Sequence, residues 1–158
     1  MRQSARGFTL IEVAVTAAII GLLATLAVPL VETTLRHDKE KDLRAALWQI
    51  RAALDAYKKA WDQGRVVQNI GDSGYPPSLI TLVEGVEDQK DPSHRKIHFL
   101  RRIPRDPLNT DPTLTPEQTW GKRSYDSPAD TPKEGADIFD VYPLETSKGS
   151  NGIPYRAW

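Results

Sequence analysis

Glu12 is the residue whose placement most demands chemistry. It stands in the run FTLIEVAVTAAIIGLLATLAVPLV, residues 8–31, where no other charged residue occurs. A carboxylate at such a site costs about 2.5–3.5 kcal/mol on insertion scales, so the position calls for a partner that neutralises it. Elsewhere the reactive residue types are present without the spacing that reactions need. His37, His94 and His98 lack a second ligand at metal-binding distance in the sequence. The stretches SYD and SPAD offer Ser and Asp with no placed histidine. Asp106 and Asp111 are each followed by proline, which marks turn residues rather than an acid pair. The glycines form no phosphate loop. The absence of cysteine removes disulfides, thiolate catalysis and cysteine-ligated zinc together. An enzyme is therefore not expected.

The elements that would position these residues begin with an apolar segment. Val13–Val31 carries no charge, and as a helix residues 8–31 would extend about 36 Å, enough for a hydrocarbon core of about 30 Å. Arg2 and Arg6 precede it, predicting a cytoplasmic N-terminal flank and an exported remainder. A secretory signal peptide has a shorter apolar region of about 7–15 residues before its cleavage site. A plain signal anchor fits the length but leaves Glu12 unexplained. Beyond this segment, the remainder of the 158 residues suffices for one modest domain. The 21 basic and 21 acidic side chains balance, which argues against nucleic-acid binding driven by bulk charge. Twelve prolines, mostly beyond residue 75, predict a loop-rich second half.

A third reading of the start uses every residue. MRQSARG is a short basic leader, and from its last residue the chain reads Gly7-Phe8-Thr9-Leu10-Ile11-Glu12. This order resembles the prepilin-type leader of type IV pilins and type II secretion pseudopilins. The resemblance implies cutting between Gly7 and Phe8 by a membrane prepilin peptidase, N-methylation of Phe8 and retention of the apolar helix. It also implies that Glu12 meets the terminal amine of a neighbouring subunit. The chain then divides into a leader (1–7), a transmembrane and assembly helix (8–31) and a periplasmic domain (32–158).

Past Pro29 the pattern becomes one-sided. Leu43, Leu47, Ile50, Leu54, Tyr57 and Trp61 alternate steps of four and three, an amphipathic helical stripe. One helix is expected from about Phe8 to Gln63, with Gly64 as its stop. Pro29 and Gly21 interrupt it, and Pro29 is its expected break. In pilin-like helices a proline at this point accompanies local melting in the filament. Trp48, Tyr57 and Trp61 are expected to pack, and the mixed charges from Arg36 to Arg44 to face solvent.

In the second half, Leu79–Val83 suggests a short helix. TWGKRSYDSP and ADIFDVYPL suggest strands with Ile138, Phe139 and Val141 inward, and Trp158 is expected to dock. Tyr75-Pro76, Leu79–Val83, Ile103-Pro104-Arg105-Asp106-Pro107, Trp120-Gly121, Tyr125, Asp137-Ile138-Phe139 and Trp158 are similar to the motifs of major type II secretion pseudopilins, although LNTDPTLTPEQT separates pieces that are nearly adjacent in that family. The implied fold is α+β and type IV pilin-like. A long N-terminal helix, half membrane and half amphipathic, packs on a small C-terminal antiparallel sheet with long loops. The family usually binds Ca²⁺ in its last loop. Here that loop has no aspartate and offers Glu145 and Asn151 beside Lys148, a poor cage for an ion that takes 6–8 oxygens. Ca²⁺ stays open as a cofactor; docking of Tyr155 and Trp158 is the other way to hold the loop.

The function implied is a structural subunit of a type II secretion pseudopilus that drives protein export. Its partners would be further copies, other pseudopilins, prepilin peptidase, an inner-membrane assembly platform, a cytoplasmic motor ATPase and membrane lipid, with no nucleic acid. The alternative is a type IV pilus or minor pilin subunit with an adhesive or DNA-binding surface, suggested by Arg95, Lys96, Arg101, Arg102, Arg105, Lys122 and Arg123.

Overall fold

The computed structural model describes Gly7 and residues 9–158, with the side chains of all of these except 25–32. The expectations attached to Arg2, Arg6 and Phe8 lie outside the described residues. Helix α1 spans Leu10–Asp62. The residues fall into two units, one up to Asp38 and one from Lys39 to Trp158.

In the first unit, α1 exposes its described apolar side chains on every side, among them Leu10, Ile11, Val13, Ile20, Leu22 and Leu23. A helix that is apolar all round needs lipid or neighbours to cover it. Among the described residues no helix is long and apolar enough to cross a membrane; the apolar run continues through 25–32, whose side chains lie outside them. Thr16 is accommodated in this run because its hydroxyl donates to the Glu12 carbonyl at 2.7 Å. The helical assignment continues through residue 29.

In the second unit, the stripe on α1 forms the spine of the core. Leu43, Leu47, Ile50, Leu54 and Tyr57 are buried, and Trp61 packs partly against them. The helix ends at Asp62, and Gly64 takes the positive φ of +66° that a helix stop favours. Trp48 departs from the expectation: it is 74% exposed. It lies one position past Leu47, off the four-three alternation, so the helix turns it outward.

Helix α2 (Leu79–Glu84) follows Pro76-Pro77 and starts at Ser78, whose hydroxyl accepts the Thr81 N–H. Strands β1 (Val86–Glu87) and β2 (Lys96–Ile97) pair antiparallel around the charged segment 88–95. Strands β3 (Trp120–Arg123) and β4 (Asp140–Pro143) form the second antiparallel pair, with Trp120 opposite Pro143 and Gly121 opposite Tyr142. The sheet component is thus two two-stranded ribbons. Ile138 and Val141 point inward as expected. Phe139 is instead half-buried, in an aromatic trio with Tyr75 and Tyr125 at ring separations of 5.0 and 5.5 Å.

The motif pieces scattered along the second half meet around this trio. The Ile138 N–H donates to the Pro76 carbonyl, and the Phe139 N–H to that of Arg123, each at 2.8 Å. Gly121 is required by its strand partner, because the Tyr142 ring would lie 2.2 Å from any Cβ there. The inserted stretch closes on itself. The Asp106 N–H donates to the Thr119 hydroxyl at 3.1 Å, and the Trp120 indole to the Pro104 carbonyl at 2.8 Å. Asp106 and Trp120 are thereby brought together despite their separation in sequence.

Candidate functional site

Two places carry the functional side chains, one in each unit. The first is the start of α1. Thr9 is the residue before Leu10, and its N–H and hydroxyl both donate to Glu12 Oε2 at 2.9 Å. In return the Glu12 N–H donates to the Thr9 hydroxyl at 3.3 Å. This reciprocal pair is a capping box, in which a Thr and a Glu three residues on satisfy the orphan donors of a helix start. The helix dipole favours an anion there as well. Glu12 therefore has a role within its own chain that the sequence reading missed, although Thr-x-x-Glu was the available signal. Gly7 is exposed, with nothing within 4 Å of where a Cβ would stand.

The second place is the segment 144–158. Glu145 Oε1 accepts the Ser147 N–H at 3.0 Å, and Asn151 Oδ1 accepts the Ile153 N–H at 3.0 Å. Both oxygens serve local turns. The two residues line different depressions: Glu145 shares one with Asp106 and Asp111, Asn151 another with Arg44, Trp48 and Trp158. Among the described residues, no three of His, Cys, Asp and Glu gather closely enough to hold a metal. Asp106 is buried with Oδ2 unpartnered. Burial, and then the nearby Glu145, push its carboxyl above the usual range. The donor set does not fit a calcium ion.

What grips this segment is α1. Glu40 is completely buried. Its Oε1 accepts the Ser150 N–H at 2.7 Å and the Tyr155 hydroxyl at 2.9 Å. Its Oε2 accepts the Ser150 hydroxyl at 2.5 Å and lies 3.8 Å from Arg44. The Arg44 guanidinium sits 4.2 Å from the centre of the Trp158 ring, which rests against Gly149. Two turns along, Arg51 donates to Asp140 Oδ1 at 2.8 Å, to the Val141 carbonyl at 3.2 Å and to the Trp158 carbonyl at 2.7 Å. Trp158 docks as expected. The expectation that charges from Arg36 to Arg44 all face solvent is corrected by Glu40. Its position was readable: it precedes Leu43 by three, which extends the four-three alternation backwards by one step.

Several of the remaining sequence candidates take structural roles. Asp106 and Asp111 cap local turns through the N–H groups of Leu108 and Thr113. His98 contacts the Val83 carbonyl at 2.8 Å. Of the basic residues considered as a binding surface, Arg95 pairs with Asp91 at 2.6 Å, Lys122 with Glu117 at 3.6 Å and Arg123 with Asp140 at 3.6 Å. Arg105 donates to the carbonyls of Leu114 and Asp111.

A capped helix start directly behind a glycine, an apolar helix exposed all round and an α+β unit on its continuation define a pilin-like class of protein. Residues 2–28 match the prokaryotic N-terminal methylation motif. Among known proteins, the chain is similar to the type II secretion system core protein G of Klebsiella michiganensis, 29% identical over 97% of this chain and 89% of that one. It is similar to the protein of that name from Pectobacterium carotovorum (32%, covering 74% and 70%) and from Aeromonas hydrophila (37%, covering 77% and 78%). No solved structure matches it significantly. The chain belongs to the type II secretion system core protein G family, the major pseudopilins.

Proposed function

We propose that the chain is made as an inner-membrane precursor, cut between Gly7 and Phe8, methylated on Phe8 and stacked through its 8–31 helix into a short periplasmic filament that drives protein export. Prepilin peptidase would process it. An inner-membrane platform and a cytoplasmic motor ATPase would add it to further copies and to other pseudopilins. The observation that carries this reading is the start of α1: a carboxylate held at the helix N-terminus, directly after the proposed cut, on a helix whose apolar side chains are exposed. Lipid covers those side chains before assembly and neighbouring helices cover them afterwards.

Glu12 then has two tasks. Within its chain it caps α1 through Thr9. Between chains it receives the ammonium that cleavage creates on Phe8 of a neighbour, since a carboxylate can accept several donors at once. Pro29, lacking a backbone N–H, is where the helix loosens as subunits pack. The test is Glu12→Ala, with processing and assembly read separately. A buried ion pair left half-made costs about 3–5 kcal/mol, so filament yield should fall by well over about tenfold while the leader is still removed. Normal filaments from this variant would contradict the pairing.

A further inference from the structure

Most charged side chains of the Lys39–Trp158 unit sit at its surface; Glu40 does not. It is 0% exposed, and its carboxylate meets Ser150 and Tyr155, more than a hundred positions away, and Arg44 one turn on. A carboxylate withdrawn this completely from water is retained only where donors replace its hydration. Here Ser150 supplies two and Tyr155 a third. The same segment is tied to α1 by Trp158 under Arg44 and by the Arg51 bond to the Trp158 carbonyl. Glu145 and Asn151, the residues placed where a calcium ion would be held, face different depressions and serve local turns.

We propose that Glu40 is a latch that holds residues 147–158 against α1, and that this latch stands in for the calcium ion that major pseudopilins usually bind in their last loop. The comparison with calcium rests on the family reading; the latch itself rests on the contacts alone. A metal ion would tie loop oxygens to each other. The latch instead ties the loop to the helix, through an acceptor on the helix and donors on the loop. The order of residues 147–158 is then insensitive to chelators and depends on helical side chains, with Glu40 holding Ser150 and Tyr155 and Arg44 and Arg51 holding Trp158.

The experiment is limited trypsin digestion of the purified full chain in detergent, with and without millimolar calcium and with EGTA. Cleavage after the exposed Lys148 reports release of the segment, and cleavage after Arg95, in the β1–β2 connection, serves as the internal reference. Wild-type cleavage at Lys148 should be equal in calcium and in EGTA. Glu40→Gln should raise it by about tenfold or more, as loss of hydrogen bonds to a charged acceptor implies, with the Arg95 rate unchanged and no rescue by calcium. If Glu40→Gln fails to fold, Tyr155→Phe, which removes one donor hydroxyl, should raise Lys148 cleavage selectively by a smaller factor. Protection that appears with calcium or vanishes with EGTA would overturn the proposal, as would variants that cleave at the wild-type rate. None of these outcomes depends on leader processing or filament formation, so failure of the latch is distinguishable from failure of the functional reading.

Discussion

Two carboxylates in the second unit respond to their surroundings in opposite directions. The Asp88 carboxyl accepts the Arg65 guanidinium at 2.6 Å, which holds it below the ordinary carboxylate range. Its stabilising contribution is present at neutral pH and is lost as pH falls through that lowered value. Asp106 has the reverse sign, because burial and then Glu145 raise it. Below the unfolded-state value, about 3.9, Asp106 is protonated in both states and costs nothing. As pH rises towards the folded-state value the unfolded chain ionises first, and stability falls until both states are ionised. Asp106→Asn keeps an acceptor for the Leu108 N–H and removes that ionisation. It should therefore be more stable than wild type at neutral pH, with the advantage disappearing on acidification. Denaturation midpoints measured across the acid range check this; a gap constant with pH, or a less stable variant at neutral pH, would contradict it. The turn role of Asp106 was legible from the following proline. Its burial was not, because it depends on Thr119 and Trp120 folding back from the far side of the insertion.

At the scale of elements, the amphipathic half of α1 was the most legible, since a stripe of six residues over five turns has few alternative readings. Its two misreadings, Glu40 and Trp48, have one cause. Helical phase, not residue type, decides the side a residue faces: Glu40 falls on the stripe and Trp48 off it. The phase argument predicts unequal costs. Leu54→Ala, at 1% exposure, should cost about 2–5 kcal/mol. Trp48→Ala should stay within about 0.5 kcal/mol despite deleting a far larger side chain. Denaturation of the full chain in detergent, followed by far-UV dichroism, measures both; a costly Trp48→Ala would mean that the ring is covered. Strands β3 and β4 were visible as branched and aromatic runs. Strands β1 and β2 were not, because two residues each are too few to show alternation, and their pairing is set by the turn between them rather than by a pattern within them.

For the molecule as a whole, the α+β pilin-like class was legible because its ingredients are long and periodic: an apolar run, a stripe and aromatic strand pieces. The pairing of distant pieces was legible only through resemblance, since nothing local says that Tyr75 meets Phe139 or that Ser150 meets Glu40. Family membership follows from similarity over most of the chain. What the molecule does with its first helix turns on whether the leader is removed and the apolar segment kept. Intact-mass and N-terminal peptide mass spectrometry of the protein purified from its native membrane measures this directly. The account predicts a polypeptide beginning at methylated Phe8 and retaining residues 8–31; a chain that still carries Met1, or one that starts beyond Val31, would contradict it.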